Sequence, residues 1–287
     1  MRQIFDETIK ETLNQRLRKL EVYFDADVIF HYGEIHPSLE KAFRDFIEQL
    51  KKDTEFDRNK LVVFLNTPGG SAETVEKMVS IMRFHYSEIY FVVPDYSMSA
   101  GTILCMSGDK IFMDYSSSLG PIDPQVYNGK NWVPALGYLD KVEELIDKSS
   151  KDQLTEAEFM ILQKLDLAEL RSYEMARNLT IALLKDWLVN FKFKDWNTHS
   201  STGQPVTTTE KEQRAEEIAN KLSNNGIWHS HGRSIGIDTL TDFLKLRIED
   251  YSNIEELREL IRDYNDLICE YILRLGGKAF VHSRVFF

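Results

Sequence analysis

Leu61-Val62-Val63-Phe64-Leu65 runs straight into Asn66-Thr67-Pro68-Gly69-Gly70-Ser71, and the reading of residues 61–71 decides the fold. An unbroken apolar run with no polar alternation suits a strand covered on both faces, as in a parallel sheet. The Pro-Gly-Gly turn after it joins strand to helix, and residues 72–85 follow with helical spacing. Next comes a second buried strand, Ile89-Tyr90-Phe91-Val92-Val93-Pro94, and a second Gly-bearing turn, Tyr96-Ser97-Met98-Ser99-Ala100-Gly101-Thr102. A short helix is expected to start near Ser99, and Lys110-Ile111-Phe112-Met113 reads as a third strand. Strand, helix, strand, helix, strand implies right-handed crossovers and an α/β core.

Upstream, residues 1–20 have helical spacing, and Glu21 to Ile35 reads as one or two strands around Asp25-Ala26-Asp27. Leu39 to Leu50 places Leu39, Phe43, Phe46, Ile47 and Leu50 on one side of a helix, with Pro37 and Ser38 at its start. Downstream, residues 136–190 are mostly helical. A linker is expected near residues 195–207, then a helix from about Thr209 to Leu222, a strand-like Leu244 to Glu249, and a long helix from about Asn253 to Leu275. The expected division is a core over 1–135 and a mainly helical extension over 136–287.

The 287 residues are 43% apolar, enough for a sizeable core, and the net charge of −11 argues against nucleic acid as the main partner. Two cysteines, Cys105 and Cys269, lie far apart in no metal-ligand spacing and read as buried thiols of a reducing compartment. The first residues lack the apolar stretch of a secretory signal, and nothing approaches the length of a membrane span, so a cytoplasmic location is expected.

The two Gly-bearing turns carry the chemistry. In open α/β folds, sites gather at the carboxyl ends of the strands. A Gly-Gly pair lets bare N–H groups approach a ligand, and a serine at a helix start has free N–H groups beside it. Together they offer a nucleophile and oxyanion donors for acyl transfer. Ser-Ala-Gly alone is also an ordinary helix cap; 29 residues separate Gly70 from Ser99, and it is the paired turns at this interval that raise Ser99 above a cap.

Asn66-Thr67-Pro68-Gly69-Gly70-Ser71 resembles the Asn-Ser-Pro-Gly-Gly turn of the Clp protease proteolytic subunit and of signal peptide peptidases, and Ser99-Ala100-Gly101 resembles their Ser-x-Gly turn. Ser117-Ser118-Leu119-Gly120-Pro121-Ile122-Asp123-Pro124-Gln125 is similar to a run of the serine dehydrogenase proteinase family, a branch of the Clp protease/crotonase superfamily. The resemblance implies a ββα spiral core with parallel sheets, followed by a mainly helical region. It implies a serine peptidase with Ser99 as nucleophile, the amides of Gly70 and Ala100 as oxyanion donors, and Gly69, Ser71 and Gly120 against the substrate. It implies no cofactor, a protein or peptide substrate, and a homo-oligomer; an ATPase or membrane partner stays open.

The base departs from the Clp subunit, because Ser116 to Val126 contains no His. Lys141 lies 42 residues after Ser99, roughly where Ser-Lys members of the superfamily place a lysine; Lys130, His229 and His231 are further candidates. A lysine base needs desolvation, which Leu136, Tyr138, Leu139 and Val142 would provide, whereas an exposed lysine beside Glu143 and Glu144 would be ordinary surface. On a strand His229 and His231 would face one side, but no third ligand is evident and no metal site is expected. Asp123 would either orient a base or stabilise its turn. Two alternatives keep the fold: an acyl-CoA thioester enzyme of the crotonase type, and a scaffold without catalysis.

Overall fold

The computed structural model describes residues 2–53, 58–123, 125–127, 132–199, 202–230 and 232–285. In chain order the elements of the first part are α1 (Arg2–Phe24), β1 (Asp27–Gly33), α2 (Glu40–Lys52), β2 (Lys60–Asn66), α3 (Ala72–His85), β3 (Glu88–Val92), β4 (Tyr96–Ser97), α4 (Ala100–Met106), β5 (Lys110–Met113) and β6 (Ser118–Leu119). The hairpin β7 (Gln125–Tyr127) and β8 (Trp132–Pro134) leads into α5 (Ala135–Ser150), α6 (Glu156–Leu162), α7 (Leu167–Trp187), α8 (Thr208–Leu222) and α9 (Asn225–Trp228). The chain closes with β9 (Glu249–Asp250), α10 (Glu255–Leu275) and β10 (Ala279–His282).

The main sheet runs β10-β1-β2-β3-β5-β9, parallel throughout except for β10, which pairs antiparallel with β1. Side chains alternate across it as strand geometry demands. Ile29, Leu61, Val63, Leu65, Ile89 and Phe91 face a core shared with α2, α3, α4, α7 and α8. Val28, Phe30, Val62, Phe64, Tyr90 and Val92 face α1 and α10. Burial on both faces is why these strands read as unbroken apolar runs. The α/β core with a mostly parallel sheet and a helical C-terminal part is as expected.

Three expectations change. The residues from Glu21 onward do not open a strand: Leu13, Leu17, Leu20 and Phe24 are buried at helical spacing, and α1 continues to Phe24. Asp25 then takes a φ of 47° and the chain turns directly into β1, the left-handed exit common at helix ends. Leu244 to Glu249 is not a strand either. Leu244 and Leu246 are buried from a loop, with Lys245 between them at a φ of 51°, and only Glu249–Asp250 pairs with β5. The segment near 195–207 is tied down by a bridge between Thr198 and Pro205 and by Trp196 packed on the core.

One apolar core crosses the expected boundary at residue 135. Leu183, Leu184, Leu222 and Leu240 pack with Val63, Phe91 and Leu104, while β9 and β10 form the two edges of the sheet.

Among the described residues two histidines lie inside the molecule. His282 on β10 sits 2.7 Å from the Tyr264 hydroxyl through Nδ1 and 3.1 Å from Asn14 Oδ1 through Nε2. His31 on β1 approaches the Gly33 carbonyl. Burial pushes His31 down to about 4 and His282 down to about 3. The unfolded chain titrates both near 6.5, so between these values it binds more protons than the folded one. Their contribution is therefore complete above about pH 6.5 and is lost as pH falls toward 4 and 3. At about pH 5 the loss is of order 2 kcal/mol for each histidine. The unfolding midpoint is expected to fall by roughly 5 °C or more from pH 7 to pH 5, and thermal scans of His282→Asn to show a shallower fall.

Candidate active site

The two Gly-bearing turns leave the carboxyl ends of β2 and β3 side by side. The Thr67 N–H donates to the Tyr96 carbonyl (3.1 Å) and the Met98 N–H to the Thr67 carbonyl (2.9 Å). This short parallel ladder sets their register. The Gly turn is also held from its other side, where the Ile35 N–H donates to the Gly69 carbonyl (2.8 Å) and the Ser71 N–H to the Ile35 carbonyl (2.9 Å). Both glycines are needed here. Gly69 has a φ of 114°, and a Cβ on it would lie 3.0 Å from the Ser99 Cβ; Gly70 has a φ of 147°, and a Cβ would strike the Ile35 carbonyl at 2.1 Å.

That ladder leaves specific groups over. In extended backbone successive amides point to opposite sides, so with Gly69 and Ser71 bonded to Ile35 the Gly70 N–H is turned away from it. Neither this N–H nor that of Ala100 donates to any described residue. Ala100 is the first residue of α4, where no intrahelical acceptor exists. Ser99 directly precedes Ala100 at φ 50°, ψ −113°, and its hydroxyl makes no capping bond. A non-glycine residue in that region is strained, and a strained serine between a strand and a helix is the geometry of a nucleophile elbow.

Residues beneath the turn hold it rigid. The Thr102 hydroxyl lies 2.9 Å from both the Ser97 and Gly120 carbonyls and accepts from the Gly120 N–H at 3.0 Å. Gly120 thereby packs on Met98, so tightly that a Cβ would lie 2.7 Å from its sulfur. A Cβ on Gly101 would lie 2.4 Å from both Ser97 Oγ and Thr67 Cγ2, which explains the glycine after Ala100. Cys105 is fully buried below, and burial pushes its thiol up to about 12. It stays protonated and offers no rival nucleophile. Cys269, expected to be buried, is only partly so, and neither cysteine is in a disulfide.

The other candidates are less close-knit. The Ser71 hydroxyl is engaged: it caps α3 by accepting from the Thr74 N–H (3.1 Å) and donates to Glu73 (2.8 Å). Lys141 sits on the outer side of α5, 59% exposed and 2.8 Å from Glu144 Oε2. Leu136, Leu139 and Val142 are indeed buried, but helical spacing turns them inward and Lys141 out. Asp123 is buried and accepts the Leu136 N–H at 3.1 Å, so it stabilises the start of α5. His229 is not on a strand; it closes α9 with a φ of 60° and is exposed. His231 and Lys130 lie outside the described residues. Among the described residues no three His, Cys, Asp or Glu side chains gather as for a metal, and no helix is long and apolar enough to cross a membrane.

The profile of one protein family, described as ClpP-like SDH-type serine proteinase, matches residues 27–211. The chain belongs to that family. Two uncharacterized proteins of Methanocaldococcus jannaschii are similar to this serine proteinase relative. One is 29% identical over 161 residues, 54% of this chain and 52% of that protein; the other is 26% identical over 220 residues, 77% of this chain and 60% of that protein. The chain thus matches little more than half the length of these curated relatives. Among solved structures, a serine-to-alanine mutant of 1510-N, a membrane-bound stomatin-specific protease, superposes with a TM-score of 0.46 at 14% identity over 80% of each chain. A lysine-to-alanine mutant of the same protease with a substrate peptide gives 0.45 at 14% identity, over 81% of this chain and 78% of that one.

This family member also carries polar groups at the site that spacing did not single out: Thr67, Thr102, and a cluster of the buried Asn66 and Asn265 with the exposed Asp95. Asn66 had a signal, because it occupies the same face of β2 as the buried Val62 and Phe64. So had Asn265, a polar residue on the apolar stripe of Ile261, Tyr264 and Ile268.

Proposed function

We propose that the chain is a serine peptidase. The observation that supports this most is Ser99 held in strained backbone, with the uncommitted Ala100 N–H next in the chain and the uncommitted Gly70 N–H in the turn that packs against it through Gly69. The Ser99 hydroxyl attacks the carbonyl carbon of a peptide, its proton passes to a base, and the tetrahedral oxyanion settles between the two amides. Those donors are preorganised by the ladders to Ile35 and Tyr96, so little reorganisation is needed as charge develops. The base returns its proton to the leaving amine, and water then hydrolyses the acyl-serine by the same route. Gly69, Ser71 and Gly120 border the scissile bond through their backbone. No cofactor enters the scheme.

We assign the base to Lys141, with His229 as the alternative. Lys141 is exposed and paired with Glu144, so it serves as base only once Glu144 is released and water is excluded around it. Substrate binding or assembly is the event that does this. Homo-oligomer formation is supported by the apolar side chains that α6 and the start of α7 present to solvent: Phe159 at 51%, Met160 at 58%, Ile161 at 55% and Leu167 at 76% exposure. We read the location as cytoplasmic, a reading supported by two cysteines that form no disulfide.

The test is intact-mass labelling with a fluorophosphonate probe. Wild type is expected to gain one adduct that Ser99→Ala does not, and Lys141→Ala to label much more slowly than wild type. A wild type without adduct, assembled and folded, would favour the scaffold reading; acyl-CoA turnover that survives Ser99→Ala would favour the thioester enzyme.

A further inference from the structure

We infer that Asn265, on α10, is a positioning residue that fixes the spacing of the two turns from the far side of the sheet; the inference rests on the peptidase reading of those turns. Asn66 is the last residue of β2 and directly precedes the Gly turn. Asp95 directly precedes the Ser99 turn. The Asn66 side-chain amide donates to Asp95 Oδ2 at 3.0 Å and to Asn265 Oδ1 at 2.7 Å. Asn265 Nδ2 donates to the same Asp95 Oδ2 at 2.9 Å, and the Asp95 N–H donates to Asn66 Oδ1 at 3.3 Å. Three side chains thus close a ring immediately upstream of the place where Thr67 pairs with Tyr96.

The donor and acceptor roles are forced. A carboxylate only accepts, so both amide nitrogens must face Asp95. The Asp95 N–H needs the Asn66 oxygen, which again turns the Asn66 nitrogen toward Asp95 and Asn265. No flipped arrangement satisfies all four bonds. Asn66 and Asn265 are 1% and 3% exposed, so opening the ring leaves amide groups buried and unpaired. The ring ties α10 to both turns at once, and Cys269, also on α10, adds its Sγ 3.6 Å from the Asn66 amide nitrogen. Without the ring β2 and the strand after β3 keep their own ladder but lose the brace that sets how far Gly70 stands from Ser99. Misplacement of reacting groups by about 1 Å costs on the order of 100-fold in rate.

Asn265→Leu keeps the side-chain volume and removes every bond of this residue in the ring. Hydrogen exchange by mass spectrometry on the full chain reads residues 66–71 and 96–101 without requiring any activity. Exchange in both segments is expected to rise about tenfold, with α1 and the remainder of α10 unchanged. Asn265→Asp keeps the side-chain shape but turns a carboxylate oxygen toward Asp95 Oδ2, where only a donor fits; it is expected to lose protection as Asn265→Leu does, which a merely space-filling role would not predict. Should Asn265→Leu fail to fold, Asp95→Ala opens the ring from its exposed member and carries the same expectation. In parallel, fluorophosphonate labelling is expected to slow about tenfold in Asn265→Leu and in Asn265→Asp, with kcat lowered far more than KM is raised on a peptide substrate. Exchange that stays at the wild-type level in either turn, in Asn265→Leu or in Asn265→Asp, overturns the inference. Absence of labelling in wild type counts against the peptidase reading instead, and the exchange measurement still decides whether Asn265 couples the turns.

Discussion

Ser99→Gly is expected to abolish peptide hydrolysis and, at the same time, to raise the unfolding midpoint. The loss comes from the missing hydroxyl: removing a nucleophile of this kind lowers kcat by about 10⁴-fold or more. The gain comes from the backbone. At φ 50° and ψ −113° a side chain is strained, and such positions store about 1–3 kcal/mol. Glycine removes the strain and returns about 0.5–1 kcal/mol of it as unfolded-chain entropy. The net gain is roughly 1 kcal/mol, a rise of about 2–4 °C for a chain of this size. Ser99→Ala is expected to be as inactive but no more stable, because its Cβ keeps the strain. Calorimetry on the three proteins separates the two effects. Equal midpoints for alanine and glycine would show that the backbone at this position is unstrained, and the elbow reading would lose its main support.

Arg284→Met is expected to cost about 3–5 kcal/mol in denaturant unfolding, the usual penalty for removing one partner of a buried ion cluster. Arg284 follows β10 and is 2% exposed; it lies 2.5 Å from Glu21 Oε1, 2.8 Å from Asp27 Oδ1 and 2.7 Å from Asp53 Oδ2. Asp27 also accepts from the Tyr86 hydroxyl at 2.7 Å. Methionine fills the volume but leaves carboxylates buried without their cation. Burial already holds the Glu21 carboxyl above its usual range, even with Arg284 and Arg58 pulling it down. Without Arg284 it rises further, and a carboxyl whose folded pKa lies above its unfolded one contributes stability at low pH that is lost as pH rises. The deficit of Arg284→Met is therefore expected to grow as pH rises above the usual carboxylate range, and to shrink when Glu21→Gln and Asp27→Asn are added. A deficit under about 1 kcal/mol at neutral pH would place the cluster among surface pairs.

Much of the fold lies open in the sequence because β2, β3 and β5 are covered on both faces. Their apolar runs end within a residue or two of where the strands end, and the turns that follow are marked by Gly69, Gly70 and Gly101. The sheet edges are not legible in the same way. Glu249–Asp250 and Ala279–His282 are too short to show any period, and their pairing depends on partners far away in the chain. Glu21 to Phe24 looked like strand because aromatic and β-branched residues fit both elements, and the spacing from Leu13 decides for helix. At the site, the paired turns were legible as motifs, and their contact through Gly69 and Ser99 matches the expected juxtaposition. Lys141 shows the limit: its distance along the chain from Ser99 says nothing about which side of α5 it occupies, and the buried stripe of Leu136, Leu139 and Val142 puts it outside. Asn265 was hidden for the opposite reason, since its partner Asn66 lies 199 positions away.

That separation has a consequence for the order in which the protein is made. Closing contacts between residues so distant carries an entropic cost that local contacts do not, and such contacts form late. As the chain grows from its N-terminus, β2, α3, β3 and α4 are complete long before residue 265 emerges, and β1 stays an open edge until β10 arrives. The Gly turn and the Ser99 turn therefore exist as sequence well before they are braced from α10. A chain still being synthesised holds an unfinished site. Completion waits until α10 and β10 have joined the sheet, so the same long-range pairing that steadies the mature molecule also delays its readiness until the residues beyond 265 have emerged.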